Sequence, residues 1–147
     1  MRKLFAILTL AIVGCSDSLD RPIRFVVPDG FSGPFIIVSN ANYPNVIEKH
    51  ADRYELAVPS DGVIRTQNID IFHRWHKATA TFESGKPFPA YDSPESLLHA
   101  GESGTSDDKT FISWYFVGPY DEFKAFMYGD LYGKKQDQWL KERGIAY

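Results

Sequence analysis

Apolar residues fall at every second position over several short stretches of this chain, and that period belongs to half-buried strands. Ile23-Arg24-Phe25-Val26-Val27 is rich in β-branched and aromatic residues and predicts a strand. Pro28-Asp29-Gly30 is a turn signal, and Pro34 to Val38 predicts a second strand. Tyr54, Leu56 and Val58 alternate with Arg53, Glu55 and Ala57; Pro59-Ser60-Asp61-Gly62 turns the chain and Val63 to Gln67 leaves it. These two units share a form: apolar strand, Pro, Asp-Gly, apolar strand. Nothing else in them matches, so the likeness reads as reused turn chemistry and not as an internal repeat. Lys77 to Glu83 alternates again, with Ala78, Ala80 and Phe82 on one side and Thr79 and Thr81 on the other. Thr110 to Val117 is apolar on both faces, as a central strand is.

The period changes near the C-terminus. Gly118-Pro119 introduces a helix with Asp121 and Glu122 at its positive end, and Phe123, Phe126 and Met127 share one helical face. Gly129 and Gly133 break that run. Lys134 to Arg143 predicts a second helix with Trp139 and Leu140 on its apolar side and Gly144 as its stop. Phe88 to Lys109, dense in Pro, Ser, Gly and acid, predicts a long surface loop with one helical turn at Pro94 to His99. The pattern therefore predicts a mainly β protein: a small antiparallel β-sandwich with one or two C-terminal helices.

The first residues follow a different logic. Arg2 and Lys3 precede an apolar run from Leu4 to Val13, broken only by Thr9. The run falls short of the ~20 apolar residues that a spanning helix needs. Charge, a short apolar run and then small residues make a secretory signal. Ile12-Val13-Gly14-Cys15 resembles the lipobox of bacterial lipoproteins. That resemblance implies a diacylglyceryl thioether on Cys15, cleavage before it, and acylation of the new amino group with a fatty acid such as palmitate. Each buried methylene contributes about 0.8 kcal/mol, and a durable anchor takes more than one chain. Ser16 follows the cysteine, which by analogy with lipoprotein sorting favours the outer membrane, facing the periplasm. The expected organisation is a signal peptide over 1–14, a lipidated tether over 15–21, and one β-rich domain over 22–147.

Composition narrows the classes. Cleavage before Cys15 leaves 133 of the 147 residues, the size of one domain. Taking Arg2 and Lys3 from the 16 basic residues leaves 14 against 19 acidic ones. A mildly acidic domain without a basic stripe points away from nucleic acid and from anionic lipid surfaces, so attachment to the membrane falls to acylated Cys15. Cys15 is the only cysteine, which excludes an intrachain disulfide. The 11 Phe and 8 Tyr supply the material for a packed core instead.

Three blocks carry a further resemblance: Val27-Pro28-Asp29-Gly30-Phe31-Ser32-Gly33-Pro34-Phe35; Val58-Pro59-Ser60-Asp61-Gly62-Val63 with Arg65-Thr66; and Tyr115-Phe116-Val117-Gly118 before an acidic helix start. Together these resemble a family of small, uncharacterised bacterial lipoproteins with an aliphatic-Pro-x-Gly-aromatic-x-Gly block. The resemblance covers residues 22 to about 126 and implies a single β-rich, envelope-anchored domain. It assigns no catalytic residue.

Candidate chemistry is sparse. His73 and His76 are the best metal candidates, but in a strand their odd spacing sends them to opposite faces, and zinc takes three or four ligands. His50 and His99 fall in different predicted loops, so no metal and no cofactor is expected. Asp29-Gly30 and Asp61-Gly62 lack the alternating acids of a calcium loop and read as turns. There is no Gly-x-Ser-x-Gly elbow and no phosphate-binding glycine loop. Tyr43, Trp75 and Tyr91, in or beside predicted loops, are the candidate ligand-binding residues, since exposed aromatics stack on sugar rings or anchor protein partners. The first functional expectation is a non-catalytic binding or structural module for an envelope protein or glycan. The alternative is an envelope-polymer hydrolase around His73, His76 and the 88–109 loop.

Overall fold

The computed structural model describes residues 22–50, 52–67, 71–72, 76–89, 95–106, 109–129, 131 and 133–145. In chain order the elements are β1 (Ile23–Val27), β2 (Gly33–Ser39), β3 (Lys49–His50), β4 (Arg53–Ala57), β5 (Val63–Thr66), β6 (Ala78–Phe82), β7 (Leu98–Thr105), β8 (Phe111–Val117), α1 (Tyr120–Met127) and α2 (Lys134–Glu142). One sheet has the order β3-β4-β1-β6 and the other β5-β2-β8-β7. Both helices cover the outer face of the second sheet. The expectation of a mainly β fold with two packed sheets and C-terminal helices holds, and among the described residues the helices number two.

Burial follows from this layering. β1 has sheet on one side only, and its burial alternates, with Ile23, Phe25 and Val27 fully inside. β2 and β8 lie between the first sheet and the helices, so both of their faces are buried. Phe35, Ile37, Phe111, Tyr115 and Val117 enter the inter-sheet core. Ile36, Val38, Ile112, Trp114 and Phe116 enter a second core with Phe123, Met127, Trp139 and Leu140 of the helices. The continuous apolar run of β8 therefore arises from a three-layer arrangement, as buried strands read.

The pairing corrects the expectation of a wholly antiparallel sandwich. β1 is parallel to both β4 and β6, and β2 is parallel to β5; β3–β4, β2–β8 and β7–β8 are antiparallel. The cause lies in the two Pro-containing turns. β1 and β2 are not partners in a hairpin: the turn carries the chain from one sheet to the other. The β4–β5 turn makes the same crossing. The two arches then stack, with Phe25 beside Leu56 in one sheet and Ile37 beside Ile64 in the other. Their shared turn chemistry is thus the mark of two superposed crossings. Val58 donates to the Val26 carbonyl at 2.8 Å, and Ile36 donates to the Gly62 carbonyl at 2.9 Å, so the ladder continues into the turns.

Asp61 fixes the second arch. Its Oδ1 accepts the Val63 N–H at 3.0 Å and its Oδ2 meets Arg65 at 3.2 Å. Asp29 accepts the Ser84 hydroxyl at 2.7 Å, which ties the first arch to the turn after β6. Gly62 has φ +73°, and a Cβ there would lie 3.1 Å from the Pro34 carbonyl oxygen and 3.2 Å from the Trp139 ring. Gly30 has a similar φ of +78° with nothing within 4 Å. Gly30→Ala is therefore expected to cost about 1–2 kcal/mol of left-handed strain alone. Gly62→Ala is expected to cost a further ~1–3 kcal/mol from overpacking. Urea unfolding midpoints of the two variants check this, and equal losses would contradict the stacked-arch geometry.

The predicted loop from Phe88 to Lys109 also needs correction, because β7 lies within it. β7 pairs with β8 along the edge of the second sheet. His99, expected in a loop and in a helical turn, is on this strand, and His50 is on β3.

Candidate functional site

β7 pairs Ala100 with Tyr115 and Ser103 with Ser113, so two residues, Gly101 and Glu102, oppose the single Trp114. That is a β-bulge, and a bulge re-aims side chains. In an unbulged strand Glu102 would share the face of Leu98 and Ala100, toward the inter-sheet core. The extra residue turns it instead to the face of Trp114, under the helices. Gly101 is required at the same place: a Cβ would lie 2.9 Å from the Met127 methyl and 3.0 Å from the Trp114 Cβ. The bulge thus brings α1 close to the sheet and sends a carboxylate to its side.

Between the bulge and the two helices lies a half-open cleft of about 170 Å³. Ile112, Trp114, Met127 and Leu140 form its apolar walls, and Glu102, Gln136 and Asp137 supply polar groups. Trp114 is held from both sides, with Phe126 at 5.6 Å and Trp139 at 5.3 Å between ring centroids. Gln136 sits in the first turn of α2 and is 8% exposed. Its Nε2 donates to the Met127 carbonyl at 3.1 Å, linking α2 to the end of α1. Its Oε1 is buried and has no hydrogen-bond partner. A buried amide oxygen left unpaired costs stability, so it marks a place where a donor is wanted. Ser103 does not supply it: its hydroxyl is paired with that of Ser113 at 2.8 Å.

α2 is clamped at its other end. Arg143 lies 3.7 Å over the Trp139 ring and donates from Nε to the Asp61 carbonyl at 2.7 Å, joining the helix to the second arch. His99 Nε2 donates to the Gly118 carbonyl, 2.9 Å away, and the ring stacks on Phe123 at 5.1 Å, seating α1 on the strand.

Of the residues singled out in the sequence, Tyr43 is on the β2–β3 connection, half-buried against the helix-side core. Cys15, Trp75, Tyr91 and His73 lie outside the described residues. His76 contacts Tyr115 through a 2.8 Å hydrogen bond and Phe72 edge-to-face at the end of the inter-sheet core. Among the described residues no group of three His, Cys, Asp or Glu is placed to hold a metal, and no helix is long and apolar enough to cross a membrane. The cleft itself was missed in the sequence. Its one local signal is the slip in alternation at Gly101-Glu102, which composition hid as loop.

No protein-family model matches this chain, and no curated protein sequence matches it. The chain is similar to a 2.75 Å crystal structure of a "putative lipoprotein" from Bacillus anthracis, with 16% identity, a TM-score of 0.55, and coverage of 84% of this chain and 94% of that one. At that identity the likeness is one of fold.

Proposed function

We propose that this chain is a lipid-anchored protein of the cell envelope and works as a non-catalytic binding or structural module. The observation that carries this reading is the leader, which ends in Ile12-Val13-Gly14-Cys15 a few residues before a β-rich domain begins. The "putative lipoprotein" of similar fold supports it, as does the resemblance of the Pro-x-Gly blocks to small bacterial lipoproteins. The thioether forms on Cys15, cleavage leaves it as the first residue, and Ser16 directs the protein to the outer membrane, facing the periplasm.

Strand polarity then orients the domain. The described chain enters at Pro22, and β1, β4 and β6 all start at that end because they are parallel. Both arches and the turn after β6 gather at the opposite end. The tether end faces the membrane and the arch end faces away from it, toward an envelope protein or glycan. Replacing the anchor tests the first part: Cys15→Ala is expected to move the protein from the membrane fraction to the soluble or unprocessed fraction of the envelope. If the variant fractionates as the original does, with processing unchanged, the lipid anchor is wrong. Cross-linking in the native envelope, read by mass spectrometry, identifies the neighbour, and cross-links only among copies of bulk lipid would argue against a module with a partner.

A further inference from the structure

We propose that the cleft between β7, β8 and the two helices binds a primary ammonium group carried on a short, unbranched apolar stem. This rests on the reading of the chain as a binding module and gives that module a ligand class.

Size sets the first limit. A cavity of roughly 150 Å³ takes a molecule such as benzene, so a cleft of about 170 Å³ takes a ligand of similar heavy-atom count. Shape and lining set the second. Ile112, Met127 and Leu140 suit methylenes, and the indole of Trp114 suits both a methylene stem and a cation. Charge sets the third. Among the described residues that line the wall, the ionisable ones are Glu102 and Asp137, both carboxylates, and none is Lys or Arg. The buried Gln136 Oε1 is an acceptor in want of a donor. The C-terminal end of α1, at Met127, adds the partial negative charge of a helix C-terminus. The first turn of α2 works the other way, since its amides favour an anion, and Lys134 and Lys135 stand on it. An anion in the cleft would nevertheless face two carboxylates and leave Gln136 Oε1 unpaired. An ammonium group brings three donors and a charge that both carboxylates favour.

Such a group comes either from a free amine or from a lysine side chain of a partner. Both are tested with the full-length protein in detergent, by following backbone amide shifts on titration with n-pentylamine and, separately, with an acetylated and amidated Gly-Lys-Gly peptide. n-Pentanol and pentanoate serve as neutral and anionic counterparts. The amine is expected to shift Gly104, Trp114, Gly133 and Gln136, and to bind roughly tenfold more tightly than the alcohol. Binding by the peptide at least as tight as by pentylamine assigns the site to a lysine of a partner; binding by pentylamine alone assigns it to a free amine. Glu102→Gln, on an exposed position that leaves the core intact, is expected to weaken the amine several-fold and leave the alcohol unchanged. Gln136→Met removes the unpaired oxygen and also the Nε2 bond to the Met127 carbonyl, so the readout is the ratio of amine to alcohol affinity, which is expected to fall; a purely structural Gln136 would leave that ratio unchanged. Equal shifts with pentanol, tighter binding of pentanoate, or no saturable shift up to about 10 mM amine would overturn the proposal and leave the cleft to water. Those outcomes do not touch the anchor or the module reading, which stand or fall on fractionation and cross-linking.

Discussion

Phe25→Ala is expected to destabilise the domain by about 3–5 kcal/mol, the usual cost of emptying a buried phenylalanine site. Total stability for a domain of this size is about 5–15 kcal/mol, so a large share would be lost. Phe25 has no solvent exposure and lies on β1, the strand flanked by β4 and β6. Its ring meets Phe35 at 5.0 Å in an edge arrangement and Tyr115 at 4.8 Å, while Phe35 and Tyr115 stack at 5.2 Å. These three rings join the two sheets, and each is fixed by the other two. The surrounding strands are held by ladders on both sides of β1, so the site has little freedom to collapse and fill the void. Urea unfolding gives the number. Val46→Ala, at a residue that is 60% exposed, is the matched control and is expected to stay within about 0.5 kcal/mol. A loss at Phe25 no larger than at Val46 would mean that the inter-sheet core is not packed as described.

Trp139→Ala is expected to cost a similar ~3–5 kcal/mol, with a different distribution of the damage. Trp139 packs against Trp114, beneath the Gly62 turn, and carries Arg143 over its face. Truncation removes the wedge that seats α2 on the second sheet and frees Arg143 from its position over the ring. The sandwich retains its own inter-sheet core, to which Trp139 does not belong. Hydrogen exchange should therefore show protection falling most steeply at the amides of α2, with β1 and β2 following only the global loss. The cleft shares Trp114, Gln136 and Leu140 with that helix, so pentylamine binding should disappear in the same variant. A uniform loss of protection across sheets and helix would contradict the layered account.

Much of the fold is legible in the sequence because burial imposes a period. β1, β4 and β6 alternate since only one face meets a neighbour, and β8 runs apolar throughout since it has cover on both sides. The helices announce themselves through Pro119, the acids at 121 and 122, and Gly144. Polarity of pairing is a different matter. A turn of Pro, Asp and Gly reverses a chain in a hairpin and also crosses it between sheets. Which of the two it does here shows only in pairings between strands distant in the chain, β1 with β4 and β6, and β2 with β5 and β8. β7 was hidden for a physical reason too. An edge strand with one exposed face needs few apolar residues, and where α1 presses on it Gly101 has to take the place of a side chain. The candidate site depends on that bulge and on α1 and α2 meeting over it. None of those contacts is local in sequence, so no motif marks them. Cys15 is the reverse case: its signal is wholly local and needs no fold at all.

The anchor is the claim on which the proposed role depends, and its chemistry is read most directly from the mature N-terminus. The protein is purified from its native membranes in detergent, and its N-terminal peptide is analysed by mass spectrometry. The account predicts a peptide that begins at Cys15 and carries a diacylglyceryl group on sulfur, with a further acyl chain on the amino group. A peptide that begins elsewhere, or one that contains an unmodified Cys15, would contradict it.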